Sequence, residues 1–67
     1  MAIRRRIEII HNSLINGQLK QMVEQIDDYG LYDFWEDYKD YLNDMEQGVA
    51  YNLFAKATIS YNRIKNR

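Results

Sequence analysis

Glu8-Ile9-Ile10-His11 is the segment whose residue types and spacing come closest to a catalytic arrangement. On a helix, side chains at i and i+3 point the same way, so Glu-x-x-His can offer a carboxylate and an imidazole to a carboxylate-bridged di-iron centre. One chain supplies only two such ligands. A symmetric dimer would have to duplicate the pair and borrow Glu24 or Glu36, whose carboxylates the helical wheels place on outer faces. The plainer expectation is a histidine on the flank of a helix, beside an ion-paired glutamate. Other templates fall away more simply. His11 is the single histidine, so no histidine triad forms within one chain. Ser13 and Ser60 lack a Gly-x-Ser-x-Gly setting, and Gly17, Gly30 and Gly48 are too dispersed to cradle a phosphate. There is no cysteine for a thiolate metal site or a disulfide. The expectation is a non-enzymatic protein with no cofactor and no metal.

A second constellation suits binding better than catalysis. Asp33, Glu36, Asp37, Asp40 and Asp44 follow i, i+3, i+4, i+7, i+11, which on a helix makes an acidic stripe ~16 Å long. Such a row can be a solvated face and nothing more. It can also steer the protein onto an Arg/Lys-lined cleft that normally receives a phosphate backbone, with nearby rings supplying short-range affinity. The rings are present: Tyr29, Tyr32, Phe34, Trp35, Tyr38 and Tyr41 lie interleaved with these acids. Phe34, Tyr38 and Tyr41 fall on one helical face and are expected in the core, each burying about 150–250 Å². Tyr29, Tyr32 and Trp35 fall nearer the flank or the hairpin junction, where rings with polar handles suit recognition. Asp33, Glu36, Asp37, Asp40 and Asp44 are therefore the expected steering residues, and Tyr32 and Trp35 the expected anchors.

The elements that position these residues read as helices throughout. Proline is absent and the apolar residues recur at helical spacing. Over residues 3–15, Ile3, Ile7, Ile10 and Leu14 form one stripe; Asn16-Gly17 then ends the helix, since both tolerate left-handed backbone. Residues 18–28 repeat Leu19, Met22, Val23 and Ile26 at i, i+3, i+4, i+7, and Gly30 marks the end. The spacing predicts a third helix over 31–47, with Phe34, Tyr38, Tyr41, Leu42 and Met45 inward and Asp33 serving its N-terminus as a cap or through the dipole. Gly48 separates a fourth over 49–66, with a stripe of Val49, Leu53, Phe54, Ala57, Tyr61 and Ile64 bordered by Lys56, Arg63 and Arg67. A second apolar line, Tyr51, Ala55 and Ile59, runs along another side of this helix. Either the bundle wraps around the helix, or the line meets another chain.

The fold class that follows is all-α: one domain, 1–67, as a compact bundle of three to four short amphipathic helices. At 67 residues there is room for one core. Apolar residues at 46% and charged residues at 28% place the chain among globular rather than disordered sequences. A core below ~70–80 residues seldom supplies more than ~3–5 kcal/mol unaided, which favours self-association through Tyr51, Ala55 and Ile59, or a partner. Arg4-Arg5-Arg6 leads into Ile7-Glu8-Ile9-Ile10-His11-Asn12, which lacks the unbroken apolar stretch of an export signal. No apolar run is long enough to span a bilayer. A soluble cytoplasmic protein without membrane contact is expected.

The net charge of -1 hides a segregated distribution. Residues 1–23 carry Arg4, Arg5, Arg6 and Lys20 against Glu8; residues 47–67 carry Lys56, Arg63, Lys65 and Arg67 against no acid. Residues 24–46 hold nine carboxylates against Lys39 alone. The simplest outcome is that the basic ends fold onto the acidic centre. If the ends converge instead, they could touch phosphates nonspecifically. Sequence-specific reading of DNA by a hairpin over 3–28 is not expected, because its second helix begins Gln18, Lys20, Gln21 but continues into Glu24, Asp27 and Asp28.

The run Ile15-Asn16-Gly17-Gln18-Leu19-Lys20-Gln21, leading through Val23-Glu24-Gln25-Ile26 to Tyr29-Gly30-Leu31-Tyr32-Asp33-Phe34-Trp35, resembles small uncharacterised helical proteins of tailed phages, over about residues 4–42. The resemblance implies a compact accessory protein that acts by binding in a host cytoplasm, where inhibitors of host nucleases and defence complexes, anti-CRISPR proteins among them, are common. It assigns no functional residue. The combined expectation is a protein-binding inhibitor of a nucleic-acid-handling or defence complex, with a partner bearing a basic groove. The alternatives are a self-associating assembly protein, homodimeric in the simplest case, and a weak nucleic-acid binder through the basic ends.

Overall fold

The computed structural model describes residues 3–66, which form four helices and no strand: α1 (Ile3–Ile15), α2 (Leu19–Tyr29), α3 (Leu31–Leu42) and α4 (Gln47–Lys65). The Ile3 side chain and Arg67 lie outside the described part. Asn16-Gly17 ends α1 as expected. Gly17 takes φ 77°, which lets its N–H reach the Leu14 carbonyl at 3.2 Å while the Gln18 N–H reaches that of Ser13 at 2.9 Å. Two end carbonyls are thereby satisfied in a Schellman closure. The α2–α3 corner is tighter still, a single residue. Gly30, at φ 111° and ψ 118°, donates to the Ile26 carbonyl, closing α2, and accepts from the Phe34 N–H, opening α3. Its backbone lies where side chains are strained, so glycine is what makes so abrupt a turn possible.

α1, α2 and α3 bury most of the stripe their spacing implies, and α4 part of its own. Ile7, Ile10 and Leu14 of α1 meet Met22, Val23 and Ile26 of α2 and Phe34, Tyr38 and Leu42 of α3 in one core. α4 closes it with Ala57, fully buried, and Tyr61. α1 and α4 each pack on both α2 and α3. Aromatic rings fill much of the interior: Tyr38 stacks on Phe34 with centroids 5.0 Å apart, and Trp35 lies 5.3 Å from Phe54 and 6.2 Å from Tyr61.

Two boundaries differ from the sequence reading. α3 stops at Leu42 instead of 47, because the chain tightens into i→i+3 turns, Asn43 N–H to the Asp40 carbonyl and Met45 N–H to that of Leu42. Asn43 and Asp44 suit such turns, and the reversal brings α4 back across α2 and α3. Gly48 accordingly sits inside the first turn of α4, which begins at Gln47 with Glu46 before it, rather than between helices. A first-turn N–H has no intrahelical partner, so a glycine disturbs little there. Val49, expected inward, is 44% exposed for the same reason: the helix starts while the chain is still outside the core. Among the described residues no helix is long and apolar enough to cross a membrane.

Candidate functional site

The outer face of α3 collects most of the expected site. Asp33, Glu36 and Asp40 are exposed, and Tyr32 beside them is 84% exposed, the most open large apolar side chain described. Tyr32, Asp33 and Glu36 share a shallow groove with Trp35, Lys39 and the α4 ring of Phe54. Asp33 stands in the first turn of α3, where its charge favours the helix dipole, but no side chain caps this helix; Gly30 holds the cap position.

Three expected residues are placed differently. Asp44 is beyond the end of α3, in the turn, and pairs with Arg4 at 3.2 Å, so the acidic ridge runs only from Asp33 to Asp40, about 10.5 Å. Asp37 is half-buried and accepts the Tyr29 hydroxyl, so it is tied to the end of α2 rather than aimed into open solvent. Burial, then this carboxylate, push the Tyr29 hydroxyl up to about 12, so it stays a donor. Trp35 is half-buried edge-on against Phe34 and wedged toward α4, so it floors the groove instead of projecting from it.

The basic ends do fold onto the acidic centre. Arg4–Asp44, Arg6–Asp28 at 3.1 Å and Lys65–Asp27 at 2.8 Å each join an end to the middle. Arg6 also lies over the Tyr29 ring at 4.9 Å, and Arg4 over Tyr41 at 5.5 Å. Asp27 accepts from Lys65 and from the Tyr61 hydroxyl, which together hold its carboxyl below the usual range. The pairing leaves Asp33, Glu36 and Asp40 without an ion pair among the described residues. It also engages Arg4, Arg6 and Lys65, cations that phosphate binding at the ends would need.

Glu8 and His11 are not brought together as ligands. Glu8 is exposed, whereas His11 turns inward, 9% exposed, with Nδ1 2.8 Å from the Tyr38 hydroxyl. Desolvation lowers the imidazole pKa, opposed by the Glu8 charge, and burial pushes the Tyr38 hydroxyl up. Among the described residues no three His, Cys, Asp or Glu side chains gather as a metal site. Sequence reasoning missed this buried polar pair, although the signal was available: His11 follows Ile7 by four residues and so sits on the edge of the α1 core stripe.

The second apolar line of α4 is open. Tyr51 is 74% and Ile59 59% exposed, with Ala55 half-buried between them, so the bundle does not wrap around this helix. Compared with known proteins, the chain matches no family model, no curated protein and no solved structure.

Proposed function

We propose that this protein acts by binding rather than catalysis, docking the outer face of α3 on a basic surface of a protein partner. Tyr32, Asp33, Glu36 and Asp40 form the contact. One observation carries the reading: an almost fully exposed tyrosine stands beside three carboxylates that the internal ion pairs leave unused. Unpaired charges aimed at solvent steer association, and an exposed tyrosine over an aromatic floor is a typical anchor. The partner class that fits is a protein whose groove accepts phosphates, and occupying that groove blocks it. The resemblance to tailed-phage proteins makes an inhibitor of a host nucleic-acid-handling or defence complex, of the anti-CRISPR kind, the specific form of the proposal.

The test is capture from nuclease-treated host lysate with the wild type, Tyr32→Ala and the triple neutral variant Asp33→Asn/Glu36→Gln/Asp40→Asn, all verified as helical. Tyr32→Ala is expected to weaken the captured complex by about tenfold or more. The triple variant should slow association and flatten its salt dependence. A partner retained equally by all three proteins overturns the assignment of this face.

A further inference from the structure

The outer face of α4 carries Ile59 in water, and beside it Lys56 and Arg63, both exposed and without an ion pair among the described residues, whereas Tyr51 lies round the helix toward Lys39 and Leu42 of α3 and the Asn43 that follows. α4 contains no carboxylate. Joining α4 to α4 therefore brings Lys56 and Arg63 against like charges, and α3 on α3 sets Asp33, Glu36 and Asp40 against the same carboxylates with Lys39 the one cation of that helix to offset them. The complementary surface is on the same molecule. Lys56 and Arg63 are seven residues apart on α4, as Asp33 and Asp40 are on α3, so each helix sets its two charges about 10.5 Å apart on its outer face. Both faces point away from the core that the two helices share, so they cannot meet within one chain.

We propose that α4 of one copy docks on α3 of a second copy. Lys56 and Arg63 face Asp33 and Asp40 across the contact, and Ile59 packs against Tyr32. Charge sets partner and register, and the covered apolar side chains supply the affinity. The contact joins two different surfaces: made twice between two copies it closes an isologous pair, and made once per copy it is heterologous and closes a ring or runs on. If the α3 face also takes a foreign partner, which rests on the function proposed above, self-association and partner binding exclude each other; the contact itself does not depend on that reading.

Sedimentation of the purified full chain tests it without any foreign partner. At about 50 mM salt the wild type should exceed its 8.1 kDa mass as concentration rises, and return to it at about 500 mM, where screening is severe. Asp33→Asn/Glu36→Gln/Asp40→Asn and Lys56→Gln/Ile59→Asn/Arg63→Gln, each folded by circular dichroism, should both be monomeric alone. Mixed in equal amounts they should form a pair, because each retains the face the other has lost. A wild type that stays monomeric at low salt overturns the proposal, as does either variant associating alone as strongly as the wild type. A monomeric wild type that retards a labelled single-stranded oligonucleotide also overturns it, assigning the α4 face to phosphates.

Discussion

Replacing Tyr38 by phenylalanine removes one oxygen from the interior and keeps the ring that stacks on Phe34 at 5.0 Å. Apolar burial is unchanged, so the measured loss is that of the contact between the hydroxyl and His11 Nδ1 at 2.8 Å. The imidazole is 9% exposed and has little water to turn to. A buried polar group left without its partner costs about 1–3 kcal/mol. Against the ~3–5 kcal/mol that a core of this size supplies, that is a large fraction. At about 4–8 °C per kcal/mol, Tm should fall by about 4–24 °C. The double variant His11→Leu/Tyr38→Phe replaces both partners with apolar groups and should recover part of the loss, giving a coupling of at least ~0.5 kcal/mol. Urea and thermal denaturation of the wild type, Tyr38→Phe, His11→Leu and the double variant, followed by far-ultraviolet circular dichroism, read the loss and the coupling. A Tyr38→Phe variant as stable as the wild type, or two single effects that simply add, would refute the reasoning. The same pair sets a pH dependence. Desolvation among Tyr38 and Tyr41 of α3 lowers the His11 pKa from 6.5, more than the Glu8 charge on its own helix raises it. The unfolded chain then binds the proton more readily, so stability is full above about 6.5 and declines as pH falls through the folded pKa. His11→Leu should remove that slope.

At more acid pH a different group takes over. Hydrogen bonds from Lys65 and Tyr61 lower the Asp27 pKa from 3.8, so its contribution is present above that value and is lost as pH falls through the lower folded pKa. Asp27→Asn should flatten the acid limb of a circular-dichroism titration while costing less than about 1 kcal/mol at neutral pH, because the site is exposed. Backbone strain predicts opposite outcomes for two glycines. Gly30→Ala, at φ 111° with Asp33 Oδ2 3.4 Å from the added carbon, should lose about 1–3 kcal/mol. Gly48→Ala, in the first turn of α4 with nothing within 4 Å, should gain up to about 1 kcal/mol in the same denaturation assay.

The α3 surface shows how far residue spacing reaches. Asp33, Glu36 and Asp40 stand in solvent because i, i+3, i+7 spacing on any helix backed by Phe34 and Tyr38 puts them opposite the core. Asp44 obeyed the same arithmetic but left the ridge, because the helix ended two residues before it and Arg4, forty residues away in the chain, was near enough to pair. Trp35 and Asp37 sit at the sides of the helix, where exposure depends on which neighbour packs there, and a wheel has no neighbours.

Local chemistry was enough for what concerns a single helix. The absence of proline, the 3.6-residue repeat and the two glycines at positive φ determine four amphipathic segments, their inward stripes and the corners at Gly17 and Gly30, since backbone conformation and solvent contrast act within a few residues. Only the tertiary arrangement decided that Asp27, Asp28 and Asp44 are consumed by the basic ends, that His11 is buried against Tyr38, and that Tyr51 and Ile59 stay in water. Those outcomes depend on which helix lies against which, and pairing and burial between segments far apart in the chain carry no periodicity along it.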